Sequence, residues 1–510
     1  MIRRAWLLVT WLSLFAAHAG GAEPAKPGIV APRLLDKGVH LLLDDHFIAR
    51  SEGVERKVQS PKRILSEPIV TGHAGHQNWQ PFLTVQHDPR PARKPFRMWY
   101  NVDVNADPKD GEWFGATGYL ESSNGIDWPG PYQRLDSLKD DGGTRFGASV
   151  VDAGALHPQA AERYKMLYFD AGRFPGPRVA FSADGLQWTR HDDGKPVVQV
   201  HNGEDIWEAG FDPIRQRYFL IGKMEGTHTW TNAEGKQVTA MVRRYGTSFS
   251  QDFKTWSELK MIFSPDDKDS GITQWYGAAG FQVRGDLIVG FLRVLRDDLS
   301  PEGVPHEAVA SNVGGKAERR ASGGAVKGSG TGYTVLTWTR DGQTWQRDRH
   351  TDPFLEPDAK PDTWDHAMAW VGSSVPVGDE VYLYYSGYRW GHKYRRSVDR
   401  QLGVVKTQRD RFVARQAGDQ GGTITTPPLT VKADALALNV DAEGGDVRVQ
   451  ITTAKGEPIT GFHFADCQPI TTDSLTAPVK WKQSLATLRD QSVRLEFSLK
   501  KARLFAFETE

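Results

Sequence analysis

One seven-residue pattern constrains this chain more than any other feature. Ser182-Ala183-Asp184-Gly185-Leu186-Gln187-Trp188 recurs as Ser122-Ser123-Asn124-Gly125-Ile126-Asp127-Trp128, as Ser250-Gln251-Asp252-Phe253-Lys254-Thr255-Trp256 and as Thr339-Arg340-Asp341-Gly342-Gln343-Thr344-Trp345. A degraded copy is Thr407-Gln408-Arg409-Asp410-Arg411-Phe412. Each copy reads as a hydroxyl, an Asp or Asn at a turn, usually a Gly, and a closing aromatic. Successive turn residues, taken at 124, 184, 252, 341 and 410, are 60, 68, 89 and 69 positions apart. A repeated supersecondary signal of this kind predicts an array of like units.

The residues between the turns favour strands. In the second repeat, short apolar runs at 148–151, 164–169 and 179–181 lead into the Asp184-Gly185 turn, and a fourth follows at 196–200. Short runs separated by Gly, Pro, Asn and Asp, with almost no 3.6-residue period, predict an all-β chain. Four-stranded antiparallel repeats close well as a propeller. The expected fold is a five-bladed β-propeller over 41–422 followed by a C-terminal β-sandwich over 423–510, where strict alternation begins after Gly421-Gly422. Each motif then sits between the third and outer strands, its Asp fixing the turn and its Trp packing between sheets. The fourth repeat is lengthened by a Gly-, Ser- and charge-rich insertion at 296–332.

Residues 1–19 read as a secretory signal peptide: Arg3 and Arg4, an apolar run at 5–16, then Ala17-His18-Ala19 as the cleavage site. The Pro-bearing stretch 20–40 reads as a linker, and the expected location is secreted or periplasmic. The single cysteine, Cys467, forms no internal disulfide and is expected to be a buried small hydrophobe. Charge is balanced at 63 Lys+Arg against 63 Asp+Glu, or 61 against 63 without Arg3 and Arg4. That balance gives no support to a nucleic-acid partner, which calls for a basic face. No run after the leader is apolar for long enough to be a membrane helix. The sequence does not fix the oligomeric state.

Candidate chemistry lies just before each first strand, where loops would converge on a propeller mouth. Asn78, Trp79 and Gln80 hold that place in the first repeat, with Asp140, Asp141 and Arg145 in the second. Glu204, Asp205, Trp207 and Glu208 hold it in the third, Asp269, Gln274, Trp275 and Tyr276 in the fourth, and Trp364, Asp365 and His366 in the fifth. Indoles interleaved with carboxylates and amides suit a carbohydrate, stacking on its apolar face while polar groups take its hydroxyls; packing between blades would use the same indoles. Glycosidic cleavage takes two carboxyl groups flanking the bond. Asp205 or Glu208, with Asp365, are the expected catalytic pair. Alternation puts Asp205 and Glu208 on opposite faces of one regular strand, and Asp205 is the preferred axial group. His366, His392, His73 and His76 could hold a sugar hydroxyl but match no compact metal spacing, so neither metal nor cofactor is expected. Arg145, Arg389, Arg395 and Arg396 could meet a carboxylate or sulfate on an acidic sugar.

Five Ser-x-Asp-(Gly)-x-x-Trp turns followed by an alternating C-terminal region resemble the five-bladed propeller glycoside hydrolases, the invertase and levanase family and the arabinanase and xylosidase family. The resemblance spans roughly residues 40–510. The turn also resembles the Asp boxes of sialidases, which run Ser-x-Asp-x-Gly-x-x-Trp, whereas here Gly directly follows Asp. Those hydrolases place an acid at the start of each of the first three blades. This chain has Asn78-Trp79-Gln80-Pro81 in the first, and only Asp205 and Glu208 fall at a matching place. The resemblance implies an exported glycoside hydrolase acting on oligo- or polysaccharides. The alternatives are a non-catalytic carbohydrate-binding propeller and a sialidase-like, six-bladed enzyme.

Overall fold

The computed structural model describes residues 32–510 apart from 73–74, 91–93, 105–114, 139–144, 155–156, 173, 200–204, 232–234, 270, 305–327 and 393–399. The leader at 1–19, Asp140, Asp141, Glu204, His73, Arg395 and Arg396 lie outside the described residues. Helical structure in the described part is confined to short 3-10 turns, and the chain is all-β.

Five four-stranded units succeed one another, the first three as separate antiparallel sheets and the last two joined into one eight-stranded sheet by the single parallel pair Gly332 and Met368. The first is Asn78–His87, Phe96–Asp103, Gly115–Ser122 and Gln133–Arg134. The second is Arg145–Asp152, Tyr164–Asp170, Gly176–Ser182 and Thr189–Arg190. The third is Trp207–Asp212, Arg217–Thr231, Gln237–Ser250 and Lys260–Phe263, and the fourth Thr273–Arg284, Leu287–Arg296, Thr331–Thr339 and Gln346–Arg347. The fifth is Met368–Val377, Glu380–Tyr388 and Gln401–Gln408, completed by Lys62–Arg63 from the other end of the chain.

The first strand of each unit lies against that of the next, and the fifth lies against the first, so the five close a ring. Hydroxyls stitch first strands that share no backbone ladder. Thr84 Oγ1 donates to Ala148 O at 2.6 Å and accepts from Val150 N at 3.0 Å. Ser149 Oγ accepts from Ala209 N at 2.8 Å, Ser373 Oγ accepts from Val85 N at 2.9 Å, and Ser374 Oγ donates to Gly280 O at 2.6 Å. Each bond satisfies a backbone group that would otherwise be buried unpaired. The axis they surround keeps a small cavity of about 210 Å³.

The repeated motif sits between third and outer strands. Asp184 Oδ1 accepts from Leu186 N at 2.8 Å and Gln187 N at 2.9 Å, while Ser182 Oγ accepts from Gly185 N at 2.9 Å. Trp188 Nε1 donates to Gly185 O at 3.0 Å, locking the ring over its own turn. The residue three past the hydroxyl takes a left-handed backbone: Gly125, Gly185 and Gly342 do so, and Phe253 does so at φ 65°. In the degraded copy it is Asp410 that takes φ 67°. Asp410 therefore stands in the glycine place, and Arg409, rather than Asp410, in the place of the turn acid.

The N-terminal stretch departs from expectation. Arg33–Leu35 and Gly38–Leu41 are strands within the expected 20–40 linker, paired with Leu429–Val431 and Ala502–Thr509. Arg50–Glu52 and Glu55–Val58 pair with Gly422–Thr425 and Val413–Ala417. Two six-stranded sheets result, enclosing one apolar core with Leu438, Val449, Phe497, Leu504 and Phe507. Residues 41–58 and 413–422 thus pair within these two sheets and not within the ring. Cys467 is buried in this core, and burial pushes its thiol up.

Candidate functional site

The first strands begin at one end of the ring, the mouth, where second strands also finish. The indoles expected to face a sugar there are packed away. Trp79 is fully buried, lies 5.2 Å from Phe146, and covers Gly115, where a Cβ would stand 2.4 Å from the ring. Trp207 covers its cross-strand partner Gly222, where a Cβ would stand 2.1 Å away. Trp275 is buried under the Arg347 guanidinium at 4.4 Å, and Trp364 covers Gly387 and Gly403. A ring closed on both faces offers no platform for a sugar, so these four hold sheets together.

Asp365 is also turned away from the axis. Its carboxylate, 2% exposed, accepts from Arg63 Nη2 at 3.0 Å, Arg63 Nε at 3.2 Å and the Tyr385 hydroxyl at 2.8 Å. Arg63 lies on the outer strand of unit five, so this group ties that unit together. His366, half-buried, has Nδ1 2.9 Å from Asp358 O at the same corner.

Asp205 and Glu208 exchange the places expected of them. Glu208 is the axial residue: it lines the axial cavity with Ser149, Ser373 and Ser374. Its Oε1 accepts from Arg293 Nη2 at 2.6 Å, and Arg293 Nη1 donates to Pro81 O at 2.7 Å. Burial pushes the Glu208 carboxyl up, and the Arg293 guanidinium opposes this without cancelling it. Asp205 precedes the strand, half-buried, and accepts from Lys223 Nζ at 2.7 Å. Glu225 lies 3.4 Å from the same ammonium, so one buried lysine holds two carboxylates.

Around these acids lie buried polar atoms that find no partner among the described residues. Asn78 is fully buried with neither Oδ1 nor Nδ2 bonded, and Gln80 Oε1 is unbonded as well. Arg145 is buried with its Nε 3.6 Å from Asp170 Oδ2. Tyr276 is stacked on Trp370 at 4.5 Å and meets the His392 ring edge-on at 4.7 Å. Arg243 donates to Gln274 Oε1 at 2.9 Å with its guanidinium 5.2 Å from the Tyr276 ring. Arg293, Lys223, Arg243, Tyr245 and Arg400 escape a reading based on positions preceding first strands. Arg293 alone leaves a mark, as the one charge inside the run Leu287-Ile288-Val289-Gly290-Phe291-Leu292-Arg293-Val294-Leu295. Among the described residues no cluster of three or more His, Cys, Asp or Glu is placed to hold a metal.

No family model matches the sequence. No curated protein matches it. Among solved structures the chain is similar to one described as a glycoside hydrolase, 16% identical at a TM-score of 0.46, over 68% of this chain and 92% of that one. It is similar to a glycosyl hydrolase from Bacteroides ovatus, 17% identical at a TM-score of 0.40, over 73% and 97%. It is also similar to a Bombyx mori GH32 β-fructofuranosidase in complex with sucrose, 13% identical at a TM-score of 0.36, over 84% and 91%. At these values the likeness carries no activity across.

Proposed function

We propose that this chain is an exported glycoside hydrolase, a five-bladed propeller joined to a β-sandwich, acting on an oligo- or polysaccharide at the mouth of the ring. On this reading the propeller takes residues 59–409, and the sandwich takes 33–58 with 410–510. One observation carries the functional reading. Glu208, a carboxyl raised by burial, is bonded to Arg293, which also reaches Pro81 O beside Gln80, and buried atoms of Arg293, Tyr245, Gln80 and Asn78 lack partners among the described residues. Unpaired buried polar atoms need a source of hydrogen bonds, and a sugar supplies closely spaced donors and acceptors.

Glu208 is suited to the general acid, since burial raises its carboxyl and so favours the protonated form that can pass a proton to the leaving glycosidic oxygen. Arg293 then stabilises the carboxylate that remains. Asp205, more exposed and 2.7 Å from Lys223 Nζ, is suited to the nucleophile or base. The support for a second reading, a non-catalytic glycan binder, is that both acids already have cationic partners, at 2.6 and 2.7 Å.

The test is a panel of glycans and aryl glycosides with the wild type, Glu208→Gln and Asp205→Asn. Loss of about 100-fold or more in kcat/KM for either variant, with the melting temperature of Asp205→Asn retained, is expected. Undiminished hydrolysis in both would remove the assignment. Glycan binding by the wild type without turnover across the panel would favour the binder.

A further inference from the structure

The sector between the third and fifth units holds two guanidinium groups for which the described residues supply no ion-pair partner. Arg400 is 0% exposed and immediately precedes the third strand of unit five. Its Nη2 donates to His392 O at 2.7 Å and its guanidinium lies 3.9 Å from the Tyr388 ring. Among the described residues its Nε and Nη1 have no partner. Arg243 is similar: it bonds Gln274, its Nε is unpartnered in the same sense, and among the described residues no carboxylate lies within ion-pair distance of it, although Tyr276, Asp297, Asp205 and Tyr245 act on its charge. The other cations nearby are matched, Arg293 by Glu208 and Lys223 by Asp205 and Glu225.

The two converge on one floor. Arg243 stands over Tyr276; Tyr276 touches His392, whose carbonyl holds Arg400. The Tyr245 hydroxyl beside Arg243 likewise finds no partner among the described residues. Guanidinium stays charged in a protein, and burying it without an anion is costly. The cheapest remedy is an oxyanion from outside, held by planar guanidinium donors.

We propose that this sector binds the carboxylate of an acidic sugar residue, with Arg243 and Arg400 as donors, so that the substrate is a uronate-bearing glycan. The proposal rests on the glycosidase reading and sharpens it. A free oxyanion such as inorganic phosphate shares the chemistry without the sugar.

Calorimetric titration of the full chain separates these. The probes are trisaccharides of galacturonate, glucuronate and mannuronate, their neutral counterparts, and inorganic phosphate. At least one acidic trisaccharide is expected to bind about tenfold or more tightly than its neutral match. Arg243→Gln is expected to erase that difference, weakening the acid about 10- to 100-fold and leaving the neutral sugar unchanged. Arg400→Gln should act alike where it folds; Arg243, being less buried, carries the test. Equal affinity for acidic and neutral sugars, or a preference that survives Arg243→Gln, overturns the proposal and leaves the glycosidase reading standing. Phosphate binding lost in Arg243→Gln, with no acidic sugar bound, overturns it in favour of a free anion. Failure of every glycan to bind or be cleaved removes both readings.

Discussion

Replacing Asp365 by Asn tests whether the buried acid of unit five serves structure. The change keeps the shape and removes the charge. Asp365 receives two bonds from Arg63 and one from Tyr385, and 2% of it is exposed. Breaking a fully buried ion pair costs about 3–5 kcal/mol. Here Arg63 is 30% exposed and also donates to Glu356 O at 2.7 Å, so water and that carbonyl recover part of the loss. The amide oxygen of the introduced side chain can still accept from the Tyr385 hydroxyl. About 2 kcal/mol of destabilisation is the working figure. Lys62–Arg63 completes unit five, so the loss should appear as a thermal midpoint lower by a few degrees. Arg63→Met should give a similar fall, and the double variant less than the sum of the two, because they remove one interaction. Turnover of whatever glycan the wild type cleaves should stay within about twofold. A loss of about 100-fold with an unchanged midpoint would return Asp365 to the catalytic machinery and refute the placement argued from its partners.

Gly222→Ala would drive a Cβ to within 2.1 Å of the Trp207 ring, and should cost about 1–3 kcal/mol by overpacking, read as a lower urea midpoint. Acid should loosen the repeated turns. Burial raises the Asp341 carboxyl, but the N–H groups of Thr344 and Gln343 outweigh it and hold it at about 2. A pKa below the unfolded value of about 3.8 gives stabilisation that is complete above about pH 4 and is lost as pH falls towards 2. Asn124 makes the same bonds uncharged, accepting from Ile126 N and Asp127 N at 2.9 Å. Asp341→Asn should therefore change stability little near pH 7 and reduce its slope between about pH 4 and 2.

What was legible in the sequence was local. The turn motif names its own partners: Ser182, Asp184, Gly185 and Trp188 contact one another within a few residues. The indoles before the first strands were visible, but their role was set by Gly115, Gly222, Gly387 and Gly403, whose missing side chains make room for them. Asp365 could not be separated from a catalytic acid, because Arg63, which decides its role, lies 302 residues away. Alternation likewise misled for Asp205 and Glu208, since the strand begins only at Trp207 and Asp205 lies outside it.

The N-terminal strap explains why ring and paired sheets form one structure. It gives four strands to the paired sheets, then the outer strand of unit five. On the way, Arg56 pairs with Asp348 of unit four at 2.9 Å, and Asp44 Oδ2 accepts from Trp338 Nε1 at 3.0 Å. Val39, Leu41 and Leu43 share an apolar core with Leu287, Phe291, Leu383 and Val405 of units four and five. Those two units also carry Arg293 and Arg400. Arg293 sits on the strand whose outer end is covered by this strap, and Arg400 opens the strand that Lys62–Arg63 pairs with. The elements presenting cations at the mouth are therefore braced from behind by a segment remote from them in sequence. Such a brace holds the buried Arg400 guanidinium in place, which the proposed carboxylate site needs in order to remain formed before its ligand arrives.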